Sequence, residues 1–356
     1  MNHRLTPNPG TSQPNCFGRS PVIFELLPFF LFIRKKPFYA ILLTMSNYIA
    51  IDIGGTQTRL AVFSSQTNIP SLTTRIATQK EGELPLDRLL GLIASIWEQS
   101  QPVLAIGAAV ASPVDPYGGV VIAPPNIPGW VNLPLQKHIQ DRFLVPTALG
   151  NDANLAALAE WKFGAGKGHR NMIYITVSTG IGGGVILDNK LLLGEVGLAG
   201  ELGHITVLEN GPLCGCGQRG HLEAVCSGLS IARWFEEELQ KGKTSILTAD
   251  HPLTAKEIGI AAAQGDALAI AAFHRSGTYL GRAFADYLHI FNVTCFVVGG
   301  GVSRVGPLLF DPLNTTMRAS VMSPHYLDHL TVTTAALGDE VGLMGALALA
   351  QSLVEN

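Results

Sequence analysis

Charged residues are scarce in this chain, and neither sign is in strong excess. Asp, Glu, Lys and Arg make up 14% of the 356 residues, the net charge is −3, and 47% of the residues are hydrophobic. So apolar a composition excludes bulk disorder, and the lack of positive charge argues against nucleic-acid binding through a broad basic surface. Five cysteines in so long a chain do not make a disulfide framework, which favours a reducing, cytoplasmic compartment.

The first 44 residues lack the features of a membrane span or a signal peptide. Their apolar run, 21–33, is interrupted by Pro28 and is followed, rather than preceded, by the basic cluster 34–36. We expect residues 1–44 to be a disordered extension or an upstream mis-start, with the fold beginning near Met45. A membrane-associating leader is the alternative.

Two familiar nucleotide motifs are also missing. No G-x-x-x-x-G-K-[ST] sequence occurs, which excludes a P-loop, and no G-x-G-x-x-G stands at an early strand–helix junction, which weakens a Rossmann interpretation. Three glycine turns are present instead, each after an apolar strand: Gly54-Gly55-Thr56, residues 178–184 (with Gly180, Gly182, Gly183 and Gly184), and Gly299-Gly300-Gly301. Backbone N–H groups in such turns form concave anion sites, although any one turn alone could be an ordinary hairpin.

The apolar patterns around these turns predict an α/β protein of two domains. Strands are predicted at 49–53, 59–63, 103–110, 172–177, 185–187 and 295–298, and helices near 85–99, 155–163, 257–291 and 342–350. The strand–glycine turn–strand unit occurs twice, before and after residue 150. This duplication predicts two related α/β halves that face each other across a nucleotide-binding cleft.

Two acidic residues stand where such a cleft would need them. Asp52 ends the first strand beside a glycine turn, where a carboxylate can hold Mg²⁺ near phosphates or simply cap the turn. Asn151 and Asp152 precede a helix, where either could be an N-cap. In the functional alternative, the Asp152 carboxylate accepts a proton from a hydroxyl nucleophile.

A compact group of metal-ligand residue types follows in the second half. His204, Cys214, Cys216 and His221 lie within 18 residues, a set that could form a closed tetrahedral Zn²⁺ site or a group of free core cysteines. Glu201 and Glu223 flank this segment, where a metal could aim them at a hydroxyl-rich substrate.

These motifs together resemble the ROK family (repressor, open reading frame, kinase). Asp52-Ile-Gly-Gly-Thr56, Gly150-Asn-Asp-Ala-Asn154, a glycine signature from Val177 to His204 and Cys214-Gly-Cys-Gly217 occur in the family's order. The resemblance covers about residues 45–350. It implies an α/β, two-domain actin/hexokinase-like ATPase fold of the duplicated ribonuclease H-like type. This chain departs from the family at one place, since the family usually has a third Cys where this chain has His221. Either the site is Cys₂His₂ with a shifted loop, or zinc binding is weakened or lost.

The resemblance also implies roles for residues. Asp152 would be the catalytic base, and the sugar hydroxyls would be bound by Asn126, Asn151, Asp152, Glu201, His204 and Glu223. ATP would be held by Asp52 through Mg²⁺, by Gly54, Gly55, Thr56, Thr179, Gly180, Gly182 and Gly183 at the phosphates, and by Gly299, Gly300 and Gly301 at the adenosine. Zn²⁺ would be structural, bound by His204, Cys214, Cys216 and His221, with Cys226 as a substitute ligand.

The sequence therefore predicts an ATP-dependent hexokinase, with O6 of glucose as the acceptor. An N-acetylhexosamine or fructose kinase is the alternative within this class. A sugar-responsive repressor and a sugar-binding protein without catalysis are the alternatives outside it, but residues 1–44 are too short for a winged-helix domain. The predicted domains are 45–152 with 337–356, and 153–336 with a zinc loop at 204–221. ATP and the sugar are the predicted partners, with no nucleic acid and no membrane, and a homodimer is expected from the resemblance.

Overall fold

The computed structural model describes residues 46–124 and 126–355. The segment predicted to be an extension, 1–44, lies outside the described residues. The strands are β1 (Asn47–Ile53), β2 (Gln57–Ser64), β3 (Pro70–Ala77), β4 (Val103–Val110), β5 (Val114–Asp115), β6 (Val120–Val121), β7 (Thr147–Asn151), β8 (Met172–Val177), β9 (Ile181–Leu187), β10 (Lys190–Leu191), β11 (Cys295–Gly299) and β12 (Thr331–Thr334). The helices are α1 (Pro85–Ile96), α2 (Leu135–Phe143), α3 (Asp152–Lys162), α4 (Leu222–Cys226), α5 (Gly228–Gln240), α6 (Ala255–Ala263), α7 (Ala267–Phe291), α8 (Pro307–Ser320) and α9 (Val341–Ser352).

Two five-stranded sheets have the same internal order. The first runs β3-β2-β1-β4-β7 and the second β10-β9-β8-β11-β12. In both sheets the central strand pairs antiparallel with the returning strand of its hairpin and parallel with the strand on its other side. The duplication predicted from the two glycine hairpins is therefore present in the sheet topology.

Alternating side chains give each central strand two buried faces. In β1, Ile49, Ile51 and Ile53 pack with α1 and α2, and Tyr48 and Ala50 pack with α3 and α9. In β8 the same alternation directs the isoleucines at 173 and 175 toward α4–α8, while Met172 and Tyr174 face α3. Period-two alternation in which both sets are apolar is typical of strands covered on both sides.

Helix α3 contributes to a core on each sheet. Leu155 and Ala159 pack in the first sheet's core with α9, and Ala156 and Ala157 pack in the second sheet's core beside Tyr174. The helix is apolar on both of these faces, so it joins the two halves through packing as well as through the chain.

The second glycine turn is shorter than the sequence suggested. Strand β9 begins at Ile181, so only Ser178, Thr179 and Gly180 form the turn, and the glycines at 182–184 belong to the strand. A Cβ on Gly184 would lie 2.6 Å from Ala157 Cβ and 3.0 Å from Asn154 Cα. These glycines let α3 approach the strand closely. The sequence pattern, interpreted as a phosphate-binding turn, did not predict this packing role.

The single helical stretch predicted near 257–291 is two helices, α6 and α7. Gly265 has φ of +90°, which ends the helical path, and Asp266 caps α7 by accepting the N–H of Ala269 at 2.8 Å. The apolar periodicity continues through this break, because both helices pack against the same core. Periodicity alone therefore concealed the boundary.

None of the helices formed by residues 46–124 and 126–355 has both the length and the apolar character needed to cross a bilayer.

Candidate functional site

A cavity of about 490 Å³ opens between the ends of the two glycine hairpins. Asp52 reaches it from the end of β1, Asp152 from the first turn of α3, and Thr179 and Gly180 from the β8–β9 turn. Its walls also include Arg59, Tyr174, Thr176, Gly182 and Glu223. The topology therefore brings the two acidic residues singled out from the sequence into one cavity.

The environment of Asp152 raises the pKa of its carboxyl group. Asp152 is exposed at the cavity, but the surrounding protein atoms still displace part of the water around its carboxyl group. This loss of hydration raises the pKa of Asp152 to about 6; the N–H of Ala153 opposes the rise, and the charges of Asp52 and Glu201 add to it. A carboxyl group with a pKa near the working pH can accept a proton and release it again.

Asn151 is the N-cap of α3. Its Oδ1 accepts the N–H of Ala153 at 3.0 Å and of Asn154 at 3.2 Å, and its Nδ2 donates to the carbonyl of Ser112 at 3.1 Å. The structure thus gives Asn151 the capping role that the sequence left as an alternative, and these bonds fix the start of the helix that carries Asp152.

A larger cavity of about 710 Å³ adjoins the Asp152 cavity, and Ser178 and Thr179 line both. Its walls are mostly apolar, with Leu229, Ile260 and Val302 among them, and Lys256, Gly301 and Arg304 at its polar parts. An apolar slot next to a glycine-containing turn fits a base and sugar that carry a phosphate chain. Of the third glycine turn, Gly301 lines this cavity, Gly299 ends β11, and Gly300 between them has φ of +84°.

Asn126 lies at a different hollow, of about 370 Å³, beside the first glycine turn. Gly55, Thr56, Gln79 and Pro128 complete its walls. Gln79 Nε2 donates to the carbonyls of Gly55 at 3.1 Å and Asn126 at 2.6 Å, which ties the turn to the loop of Asn126. Asn126 and Gly55 are therefore neighbours, but neither lines the cavity of Asp152.

The four predicted metal ligands converge on one point. The ligand atoms of His204, Cys214, Cys216 and His221 all lie within 4.8 Å of one another. The Nδ1 atoms of the two histidines are 3.3 Å apart, Cys214 Sγ is 3.7 Å from His204 Nδ1, and Cys216 Sγ is 3.2 Å from His221 Nδ1. Tetrahedral Zn²⁺, at about 2.3 Å from sulfur and about 2.0–2.1 Å from nitrogen, holds its ligand atoms about 3.3–3.8 Å apart.

Two residues near this cluster lie outside it. His204 Nε2 is 3.8 Å from Glu201 Oε2, which is too long for a hydrogen bond. Cys226 is not part of the cluster: it is fully buried and its Sγ lies 3.4 Å from the carbonyl of Ser276. The spare cysteine considered in the sequence is thus placed elsewhere, and His221 occupies the fourth position.

Glu223 connects this cluster to the β8–β9 hairpin. Its Oε2 accepts the N–H of Ile181 at 3.0 Å, and its Oε1 accepts from Cys214 Sγ at 3.4 Å. Glu223 also lines the Asp152 cavity, and together with Cys214 of the cluster it lines a further hollow beside Thr179 and Gly180. Gly183, by contrast, faces Leu202 from within β9.

Three residues at these cavities were missed in the sequence. Arg59 donates to Asp52 Oδ2 from Nη2 at 2.7 Å and from Nε at 3.2 Å, and Gln79 binds the first turn as described. Tyr174 forms part of the cavity floor, where burial raises its pKa to about 12. The hairpin register, which sets Asp52 opposite Arg59, is the one signal that could have revealed the arginine.

Comparisons with known proteins agree with this geometry. A glucokinase of Thermotoga maritima is 37% identical over 307 residues, 85% of this chain and 96% of that protein. An N-acetylmannosamine kinase of Shigella boydii is 36% identical over 306 residues, 85% of this chain and 98% of that protein. The crystal structure of a ROK family glucokinase from Streptomyces griseus, in complex with glucose and AMPPNP, superposes with a TM-score of 0.70 at 35% identity, covering 86% of this chain and all of that one.

The similarity to these solved and curated proteins extends over nearly the whole described chain. It confirms the predicted actin/hexokinase-like α/β fold, whose two repeated sheets are described above. The family model for the ROK family matches residues 48–353, from β1 to the end of α9, and the chain belongs to that family.

Proposed function

We propose that this protein is an ATP-dependent hexokinase that transfers the γ-phosphoryl group to glucose. Glucokinases and sugar kinases align with nearly the full fold. The observation that carries the proposal is the junction of the two cavities at Ser178 and Thr179, which places a nucleotide-sized slot beside the Asp152 carboxylate. A nucleotide in the slot would extend its phosphate chain through this junction toward a sugar hydroxyl beside Asp152.

The chemistry follows from the residues at the junction. Asp152 accepts the proton of the sugar O6 hydroxyl as that oxygen forms a bond to the γ-phosphorus. The bond from the γ-phosphorus to the bridging oxygen breaks, and ADP leaves. N–H groups of the turn at Thr179 and Gly180 stabilise the charge on the transferring group. Mg²⁺, held in part by Asp52, would neutralise phosphate charge.

The sugar is proposed to lie on the Glu201, His204 and Glu223 side of Asp152. Glu201 is close enough to Asp152 for its charge to raise the pKa of that base, and Glu223 lines the same cavity. Asn126 would reach this sugar from the loop beside the first glycine turn, and Asn151 would act by fixing the helix start. Each of these side chains can bind hydroxyl groups.

We further propose that the four-residue cluster holds a structural Zn²⁺. The ligand-atom separations support it. The metal would fix the loop at 204–221, and with it Glu223 and the hairpin turn that Glu223 binds.

The domain division and the setting of the protein are also proposals. The division into 45–152 with 337–356, and 153–336, is supported by the separation of the two sheets. A homodimer in the cytoplasm is the proposed state, and light scattering of the purified protein would test the dimer.

ADP release measured over a panel of sugars tests the function. The panel contains glucose, fructose, N-acetylglucosamine and N-acetylmannosamine, each with and without the protein and ATP. We expect glucose to give the highest kcat/KM and a product phosphorylated at O6. Because one relative is an N-acetylmannosamine kinase, a higher value for that sugar would replace glucose as the substrate. No sugar-dependent ADP release with any of them would contradict the kinase proposal.

A further inference from the structure

Glu160 is a fully buried acidic residue far from the reacting groups. It lies on α3, eight residues after Asp152, and its side chain is not exposed to solvent. Within residues 46–124 and 126–355, no Lys, Arg or His forms an ion pair with it. A buried acidic side chain without a cation must obtain its compensation from hydrogen bonds.

Backbone N–H groups supply that compensation. Glu160 Oε2 accepts the N–H of Ala165 at 2.8 Å and of Ala336 at 3.1 Å, and Oε1 accepts the N–H of Leu337 at 2.8 Å. Ala165 belongs to the turn that follows α3. Ala336 and Leu337 belong to a segment remote in sequence, between the last strand of the second sheet and the last helix.

The remote segment is a crossover from one half to the other. Ala335 still donates its N–H to Val298 of the second sheet at 3.0 Å. Four residues later, the carbonyl of Asp339 accepts from Arg59 of the first sheet at 2.6 Å. Between these anchors, Glu160 is the only side chain in the described residues that accepts the backbone N–H groups of residues 336 and 337. The next residue, Gly338, has φ of +54°.

The other crossover is α3 itself. Strand β7 of the first sheet passes directly into α3 through the Asn151 cap, and the turn after α3 leads to β8 of the second sheet. Glu160 therefore ties the two connections between the halves to each other through hydrogen bonds. It lies on the same helix whose first turn carries Asp152.

We propose that Glu160 is the pivot about which the two halves close, and that it positions Asp152 by fixing α3 to the 335–339 crossover. Hinges in such proteins are a few residues at the ends of elements, and closure assembles the reacting groups. The proposal rests on the kinase function proposed above. It predicts that Glu160 acts on the closed state, in which sugar and nucleotide meet, more than on the binding of either ligand.

Two variants at this position separate the charge from the reach of the side chain. Glu160→Gln replaces one oxygen by an NH₂ group, which turns a donor toward at least one backbone N–H. Glu160→Asp keeps the carboxylate but shortens it by one methylene. The matched control is Glu355→Gln, since Glu355 also bonds to α3, through Lys162 at 3.2 Å, but is exposed and lies beyond the crossover.

Closure is measured by small-angle X-ray scattering, with and without glucose and AMPPNP. We expect the decrease in radius of gyration seen for the wild type and Glu355→Gln to be largely lost in Glu160→Gln. We expect kcat to fall about tenfold, as for the loss of one charge-assisted hydrogen bond, while the Kd for glucose measured without nucleotide changes less than threefold. Glu160→Asp should fall between the wild type and Glu160→Gln in both measurements.

A lower Tm with unchanged ligand-induced compaction and unchanged kcat would overturn the proposal, because Glu160 would then serve stability alone. If Glu160→Gln does not fold, Glu160→Asp decides by the same two measurements. A wild type that compacts with its ligands but phosphorylates no sugar would contradict the proposed function, and the compaction of the variants would still test the pivot.

Discussion

Asp52 and Arg59 face each other across the first hairpin, with Arg59 Nη2 2.7 Å from Asp52 Oδ2. Asp152, across the same cavity, is not bonded to an arginine or lysine in the described residues. One carboxylate of the pair is therefore held beside a cation, while the other has its pKa raised to about 6. Two carboxyl groups whose environments differ in this way are suited to different tasks.

The pH dependence of catalysis should report this difference. A base must be deprotonated to accept a proton, and the pKa of Asp152 is raised to about 6. We expect kcat/KM for glucose to be nearly constant above that pH and to fall about tenfold per unit below it. Desolvation is the largest cause of the raised pKa, and the negative charge of Asp52 adds to it. Asp52→Asn removes that charge and should therefore move the acidic limb of the pH profile to lower pH. A limb that stays near pH 4 in the wild type contradicts the assignment.

Removal of the base should separate binding from turnover. We expect Asp152→Asn to lower kcat about 10²–10⁴-fold, because the amide cannot accept the hydroxyl proton. Glucose affinity, measured by calorimetry, should change little, since Asn keeps the size and one hydrogen-bonding oxygen. Asp141→Asn, in an exposed ion pair on α2, serves as the control for the loss of an acidic group. Near-wild-type turnover in Asp152→Asn would refute the role.

The metal proposal makes His221 the decisive residue. Purified wild-type protein should contain about one zinc per chain by plasma mass spectrometry, as expected for a four-ligand site. His221→Ala should lose most of this metal and lower the Tm, whereas His221→Cys should retain it, since a thiolate is an equally good ligand. Cys226→Ala is the control, because Cys226 lies outside the cluster. Loss of zinc from Cys226→Ala but not from His221→Ala would contradict the proposed ligand set and make Cys226 a ligand instead.

The glycines of β9 should be intolerant of any side chain. Gly184→Ala places a Cβ 2.6 Å from Ala157 Cβ, so we expect the free energy of unfolding to fall by about 1–3 kcal/mol. Gly91→Ala, in α1 with no atom within 4 Å of the new Cβ, should instead raise it by about 0.5–1 kcal/mol. Urea denaturation compares the two. Equal effects of the two changes would show that α3 does not rest on the glycines.

Local patterns were sufficient to predict the hairpins and the cluster of Cys and His side chains. Isoleucines at alternate positions before a glycine turn define β1 and β8, and His204, Cys214, Cys216 and His221 are close in sequence as well as in space. The sheet order could be predicted only through the family resemblance, because pairing between β4 and β7 joins residues about forty apart in the chain.

Other features depend on contacts that no local pattern encodes. Glu160 reads as an ordinary helical glutamate, since its partners at 336 and 337 are far along the chain. The glycines at 182–184 read as a turn because close helix packing and phosphate binding both require a missing side chain. Asn126, in the loop after β6, lies at a separate hollow from Asp152, because that loop sits beside the first glycine turn.

The packing of α9 has a consequence for how the protein is made. This helix supplies Leu343, Ala346 and Leu347 to the core of the first sheet, against Tyr48 and Ala50 of β1. Helix α3 covers only part of that face of the sheet, so on the ribosome the rest stays uncovered until the final helix emerges, and the half synthesised first is completed last. A nascent chain would therefore expose part of this apolar face to chaperones until synthesis ends, and termination before residue 341 would leave β1 and α3 without the helix that packs against both.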